Sequence, residues 1–179
     1  TPLYLSAYGF VDKLISSFRM LVNAYGSAVM PHAAGTHQLG FKEWKRLKKQ
    51  QNILLSVFCL FSGSIMFFFP EQLLTILLMG KHDNNLAFFM QVEQLIQYIS
   101  IVPMLIALNV LNVTEIFLEK KYTSYFGAGV FILFISILSN DAFQLGVDAK
   151  YVGFYPMLIE AVALATSFFI VQRIRFAKN

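Results

Sequence analysis

The sequence predicts an all-α integral membrane protein, a polytopic helix bundle with about five transmembrane segments. Three observations carry this. Hydrophobic residues make up 57% of the 179 positions and charged residues only 13%, whereas a soluble domain carries about 25% charged residues. The mean hydropathy is +0.61. The apolar residues fall in five runs, each long enough to cross about 30 Å of hydrocarbon as a helix. These runs are too long for strands and lack the alternation of a barrel. The same composition excludes a disordered chain, a disulfide scaffold and a coiled coil. The net charge of +4 comes from cations too few and too segregated for a nucleic-acid partner.

The chain reads as one transmembrane helical domain over residues 1–179. Segment A covers residues 3–30 and is the most polar. Segment B covers 53–79 and is interrupted at Pro70. Segments C, D and E cover 86–111, 122–139 and 151–171. A basic loop over 32–51 joins A to B. Pro103 and Pro156 lie within C and E and are expected to kink them. Gly63, Gly127 and Gly129, with Ser62 and Ser64, are small residues that permit close helix packing. Cys59 lies in an apolar run and cannot pair within the chain.

Orientation follows from the basic residues. Lys42, Lys45, Arg46, Lys48 and Lys49 fall between A and B, Lys120 and Lys121 between C and D, and Arg173, Arg175 and Lys178 after E. The B–C and D–E connections hold only Lys81 and Lys150. By the positive-inside rule the basic loop, the C–D turn and the C-terminus are cytoplasmic. That puts Thr1 outside. With no initial Met and no signal-peptide pattern, this start fits a piece of a longer protein. In FKEWKRLKKQ, Phe41, Trp44 and Leu47 recur every three residues among cations. This reads either as an interfacial amphipathic helix, with Trp44 at headgroup depth, or as a topology signal alone.

Polar groups inside the spans are the candidate functional residues. Tyr8, Asp12, Ser16, Arg19, Asn23 and Ser27 follow each other at steps of three and four, so they share one stripe of a helix. Lipid contact there would be costly, so the stripe should face water or partner helices. Lys13 points aside and can snorkel outward. Arg19, with Lys13, either offers charge to an anionic group or pairs with a carboxylate on another helix. Glu160, in mid-span, is either a proton relay or the partner of Arg19 or Lys13. Gln91, Glu93, Gln94 and Gln97 open segment C and either line a mouth or meet headgroups. Asn109 and Asn112 suit interhelical hydrogen bonds.

Enzyme signatures are absent. His32, His37 and His82 lack ligand spacing, and no GxSxG, HExxH, P-loop or GxGxxG occurs. The expectation is a protein that is not an enzyme and needs no metal or other cofactor.

Three stretches carry a family resemblance. YGFVDKLISSFRMLVNAYGSAVMPHAAGTHQLG resembles a helix with the pattern G-x-Y-x-x-A-x-K/R-I that leaves through L-x-P-x-x-S/A. Tyr8, Lys13, Leu14 and Ile15 match the first part, and Val29, Met30, Pro31 and Ala34 the second. FFFPEQLLTILLMG resembles FPEEIL-x-LLFG, through Phe69, Pro70, Glu71, Leu73, Leu74, Leu77, Leu78 and Gly80. IVPMLIALNVLNVTEIFLEKKYTSYF resembles the span that follows. These are patterns of Wzx-type polysaccharide flippases, in the superfamily that also holds MATE drug exporters and the lipid II flippase. The resemblance implies most of the C-terminal lobe of a two-lobe transporter, with the N-terminal lobe of the same protein as partner. It implies alternating access in a bacterial cytoplasmic membrane, on an oligosaccharide carried by undecaprenyl diphosphate. Tyr8, Asp12, Lys13, Ser16, Arg19 and Asn23 would bind substrate. Glu160, Glu93 and Asp12 would be candidates for ion or proton coupling. The alternatives are a MATE-like drug antiporter and a membrane-embedded enzyme of the same pathway.

Overall fold

The computed structural model describes residues 2–77, 86–144 and 154–177, with side chains described over 6–77, 86–138 and 154–177. Among the described residues seven helices follow one another: α1 (Pro2–Leu39), α2 (Phe41–Phe68), α3 (Pro70–Leu77), α4 (Leu86–Ile99), α5 (Val102–Leu118), α6 (Tyr122–Gln144) and α7 (Phe154–Phe176). No strand occurs among the described residues.

The bundle is apolar on the outside as well as within. Ile53, Phe61, Phe68, Phe126, Phe134 and Phe169 are among many large side chains left exposed. A soluble monomer rarely carries such continuous apolar surface, whereas lipid solvates it. Phe41–Phe68, Leu86–Leu118 and Phe154–Phe176 are long and apolar enough to cross a membrane. Within α6 the described side chains form an apolar stretch over Tyr122–Leu138, and α1 falls outside this set. Among the described residues three helices therefore meet the length and composition of a span, and the polar stripe of α1 lowers its hydropathy. The chain is a membrane-embedded helical protein.

The helix ends differ from the expected ones for local reasons. Segment A was expected to end at residue 30, but α1 runs through Pro31 to Leu39. A proline inside a helix removes one donor, and the helix resumes beyond it when packing holds both sides. Here Ala33, beyond the proline, is buried against Trp44 and Leu47. The loop expected over 32–51 is therefore helical on both sides of Gly40. That residue has φ 132°, a backbone that side chains rarely adopt. Trp44 is 1% exposed. It packs between the end of α1 and Leu118 of α5, so Trp44 and Leu47 serve bundle packing, whereas Phe41 is exposed.

Segment C is broken at Ser100–Ile101, where α5 begins with Pro103 in its first turn. Pro103 has no N–H to continue the α4 ladder, so the kink expected there is present. Pro156 is the third residue of α7, and the residues before Phe154, on which the expected kink depends, lie outside the described residues. The end of α5 is closed by a left-handed residue, Lys120 at φ 55°. Its N–H reaches the Phe117 carbonyl and that of Lys121 the Ile116 carbonyl, the pattern of a Schellman cap. The expected helix ends at Met79 and Tyr151, and Lys81, Lys150 and Lys178, lie outside the described residues.

α5 is the central element, packed against α1, α2, α6 and α7. The largest core seam joins Ala7, Val11, Ile15 and Val22 of α1 to α4 and the start of α5. At the break between α4 and α5, the Ser100 carbonyl lies against Gly63 of α2, where a Cβ would strike it. Gly127 and Gly129 have open space around their Cα atoms and create no such approach.

Gly63→Ala should therefore overpack backbone against backbone, at a cost of about 1–3 kcal/mol. Gly9→Ala, a helical glycine with no neighbour for the added carbon, should be neutral or slightly stabilising. Thermal unfolding of the two variants in detergent separates them: the expected result is a lower midpoint for Gly63→Ala alone.

Candidate functional site

The polar stripe of α1 is open to the outside of the chain. Ala7, Val11, Ile15 and Val22 hold the helix to the core. The stripe lies about 100° further round the helix, given about 100° per residue. Asp12, Asn23 and Ser27 are exposed, and Tyr8, Ser16 and Arg19 are half-buried. Lys13 is exposed beside them. Exposed ionic groups on a helix of an otherwise lipid-like bundle need water or another polar surface.

An ion pair crosses from this stripe to α7. Arg19 Nε donates to Glu160 Oε1 at 2.8 Å, and its Nη2 lies 2.7 Å from the same oxygen. Arg19 and Glu160, separate candidates in sequence, are thus one ion pair joining helices 141 residues apart. The pair is uneven. The Glu160 side chain is nearly covered, whereas that of Arg19 is 39% exposed. A guanidinium has five donors, so Arg19 is held from behind and still presents charge outward. Asp12 and Lys13 form no ion pair among the described residues.

The group at the start of α4 does not join this site. Gln91, Glu93, Gln94 and Gln97 line an open hollow of about 580 Å³. Within it Gln94 donates to the Tyr98 hydroxyl at 3.0 Å. Gln97 reaches the Phe67 carbonyl at 3.4 Å, near the end of α2.

At the basic end of the bundle lies a closed network that the sequence pattern did not isolate. Glu115 of α5 is 2% exposed. Its Oε2 accepts from Lys48 Nζ of α2 at 2.7 Å. Arg175 of α7 grips both carboxylate oxygens, each at 2.9 Å. Lys48 also donates to Asn112 Oδ1 at 2.8 Å, and the Asn112 amide donates to Ser167 Oγ at 3.3 Å. Asn112 thus makes the interhelical bonds expected of it, whereas the Asn109 Oδ1 is buried without a partner. Arg175 further sits over the Phe41 ring at 5.8 Å. Beside the network, His37 Nε2 of α1 pairs with Glu119 at 2.8 Å, and Tyr25 donates to Gln51. These contacts bring the basic ends of α1, α2, α5 and α7 together.

The signal for Lys48 was its register. Trp44, Lys48, Leu55, Cys59, Gly63 and Met66 form the buried face of α2. Lys48 is the basic residue of FKEWKRLKKQ that falls in step with that face. Glu115 lies beyond residue 111, where segment C was expected to end, and so was not weighed as a buried charge.

The chain matches no family model, no curated protein and no solved structure.

Because the network is buried, removing one partner should cost more than removing two. Glu115→Gln leaves two cations facing one another, and is expected to destabilise by about 3–5 kcal/mol. In the double variant with Lys48→Met, Arg175 can turn to water and part of that loss should return. Equilibrium unfolding in mixed micelles measures the cycle; strictly additive losses would contradict a coupled network.

Proposed function

We propose that this chain belongs to a transporter that carries an oligosaccharide, linked to undecaprenyl diphosphate, across the bacterial cytoplasmic membrane for surface polysaccharide synthesis. The observation that carries the reading is the exposed polar face of α1, with Arg19 fixed by Glu160 and still open to a ligand. A diphosphate suits a guanidinium, which donates parallel hydrogen bonds to its oxygens. Tyr8, Ser16 and Asn23, along the same face, suit the hydroxyls of a sugar. The resemblance of the Pro31 and Phe69–Pro70–Glu71 stretches to polysaccharide flippases supports the same class.

The proposed mechanism is alternating access. The α1 face lines a watery cavity closed on its other side by a second lobe. The lipid tail stays in the bilayer while the charged head and sugars pass along the cavity. The basic end, with the C-terminus, faces the cytoplasm. Glu160 acts as a positioning residue for Arg19. Coupling to a proton or sodium gradient falls to Asp12 and Glu93, carboxylates with no ion pair among the described residues. A MATE-like cation antiporter is the second reading, and the observation favouring it is the exposed carboxylate of Asp12 on this face.

Export of surface polysaccharide in a flippase-deleted host, with membrane protein levels followed in parallel, tests the proposal on the complete gene. Arg19→Ala is expected to lower export at least tenfold at normal protein level. Glu160→Gln, which keeps an acceptor for Arg19, should retain most export. The swap of Arg19→Glu with Glu160→Arg should restore protein level but not export. Full export by the swapped protein would make the pair purely structural and overturn the binding role.

A further inference from the structure

A second feature is a groove that no residue of α1 lines. α2, α5 and α7 enclose this groove of about 730 Å³, within the range of about 300–1,000 Å³ usual for small-molecule sites. Its two halves differ in chemistry. One end is bounded by Lys45, Lys48, Lys49 and Arg175, and the rest by apolar side chains, among them Leu164 and Phe168.

The charge at the basic end is not balanced among the described residues. Glu115 offsets one of the two cations it binds, Lys48 and Arg175. Lys45 and Lys49 form no ion pair among the described residues. The rim therefore carries about three uncompensated positive charges at neutral pH. Lys45, Lys49 and Asn52 stand on one face of α2 at steps of four and three, so the wall turns from basic to apolar within two turns. At that boundary the buried Oδ1 of Asn52 has no hydrogen-bond partner. A ligand fitted to this groove has an anionic head, a polar linker beside Asn52 and an apolar tail.

We propose that the groove is a binding site for an anionic membrane phospholipid. A zwitterionic lipid would bring its ammonium against the same three charges. An anionic one places its phosphate between Lys45 and Lys49, its headgroup toward water, and the glycerol that carries its chains beside Asn52. Its chains lie along Leu164 and Phe168, continuous with the exposed apolar surface of α2 and α7 that lipid already covers. The guanidinium of Arg175 remains on Glu115, so occupancy screens repulsion among the cations without breaking the network. The proposed lipid is distinct from the transported substrate, and none of the residues lining the groove lies on α1.

The test uses the whole chain in detergent, titrated with short-chain phosphatidylglycerol or phosphatidylcholine and read by retained adducts in native mass spectrometry. Phosphatidylglycerol should bind preferentially. Lys45→Gln with Lys49→Gln, exposed positions outside the buried network, should weaken it roughly thirty-fold, as expected from the gain per lysine at an anionic surface. Leu164→Trp, which fills the apolar half, should abolish binding of both lipids while the rim is intact. Equal binding of the two lipids, or unchanged binding by the double lysine variant, would overturn the assignment. So would stoichiometric displacement of phosphatidylglycerol by a polyprenyl diphosphate, since the groove would then belong to the transported lipid.

Discussion

A carboxylate with almost no access to solvent, Glu115, holds three helices of this bundle at one point. Removing a charge from water costs several kcal/mol or more, and only close, well-oriented counter-charges offset it. Lys48 from α2 and both nitrogens of the Arg175 fork from α7 supply them. Between lipid-facing helices there is little hydrophobic drive for association, because lipid tails are as apolar as the side chains. A shared buried charge therefore specifies which helices meet and in which rotation. With α7 fixed through Arg175, its other faces are fixed too: Glu160 is turned to α1, and Phe168 lines the groove shared with α2 and α5.

The ionic groups of the chain accordingly divide into two kinds. Lys48, Glu115, Asn112 and Ser167 are closed in on one another, and their geometry is that of structure. The groups along α1 are open. Asp12 and Asn23 are exposed, and Arg19 is held from one side only. Tyr8 of the stripe packs against the core made by Ala7, Val11, Ile15 and Val22, but Asp12 and Asn23 take no part in it. A polar face that packing does not need, on a membrane protein, has to be explained by what it meets. The proposed cavity between two lobes supplies that environment.

Much of the fold was legible in the sequence, and the exceptions have physical causes. Long apolar runs force helices, because only a helix satisfies its backbone within a single segment. Periodicity alone found the α1 stripe, since side chains three and four apart share a face. It could not find the Arg19–Glu160 pair, because 141 residues separate the partners and no local pattern connects them. Lys48 was read with its neighbours as a topology signal, although its register with Trp44 and Leu55 marks it as buried. Pro31 and the cations after it suggested a loop. Burial of Ala33 and Trp44 outweighs that local preference and keeps the segment helical apart from Gly40.

The central claim is that the open face of α1 meets water inside a membrane. Cys59 is buried, which leaves a quiet background for introduced thiols. Asn23→Cys, on the stripe, and Phe61→Cys, on the apolar exterior of α2, can be exposed in intact membranes to a small, charged thiol reagent that does not enter lipid. The account predicts rapid labelling at position 23 and none at position 61. Protection at position 23 equal to that at position 61 would mean that lipid or protein covers the stripe, and would contradict the claim.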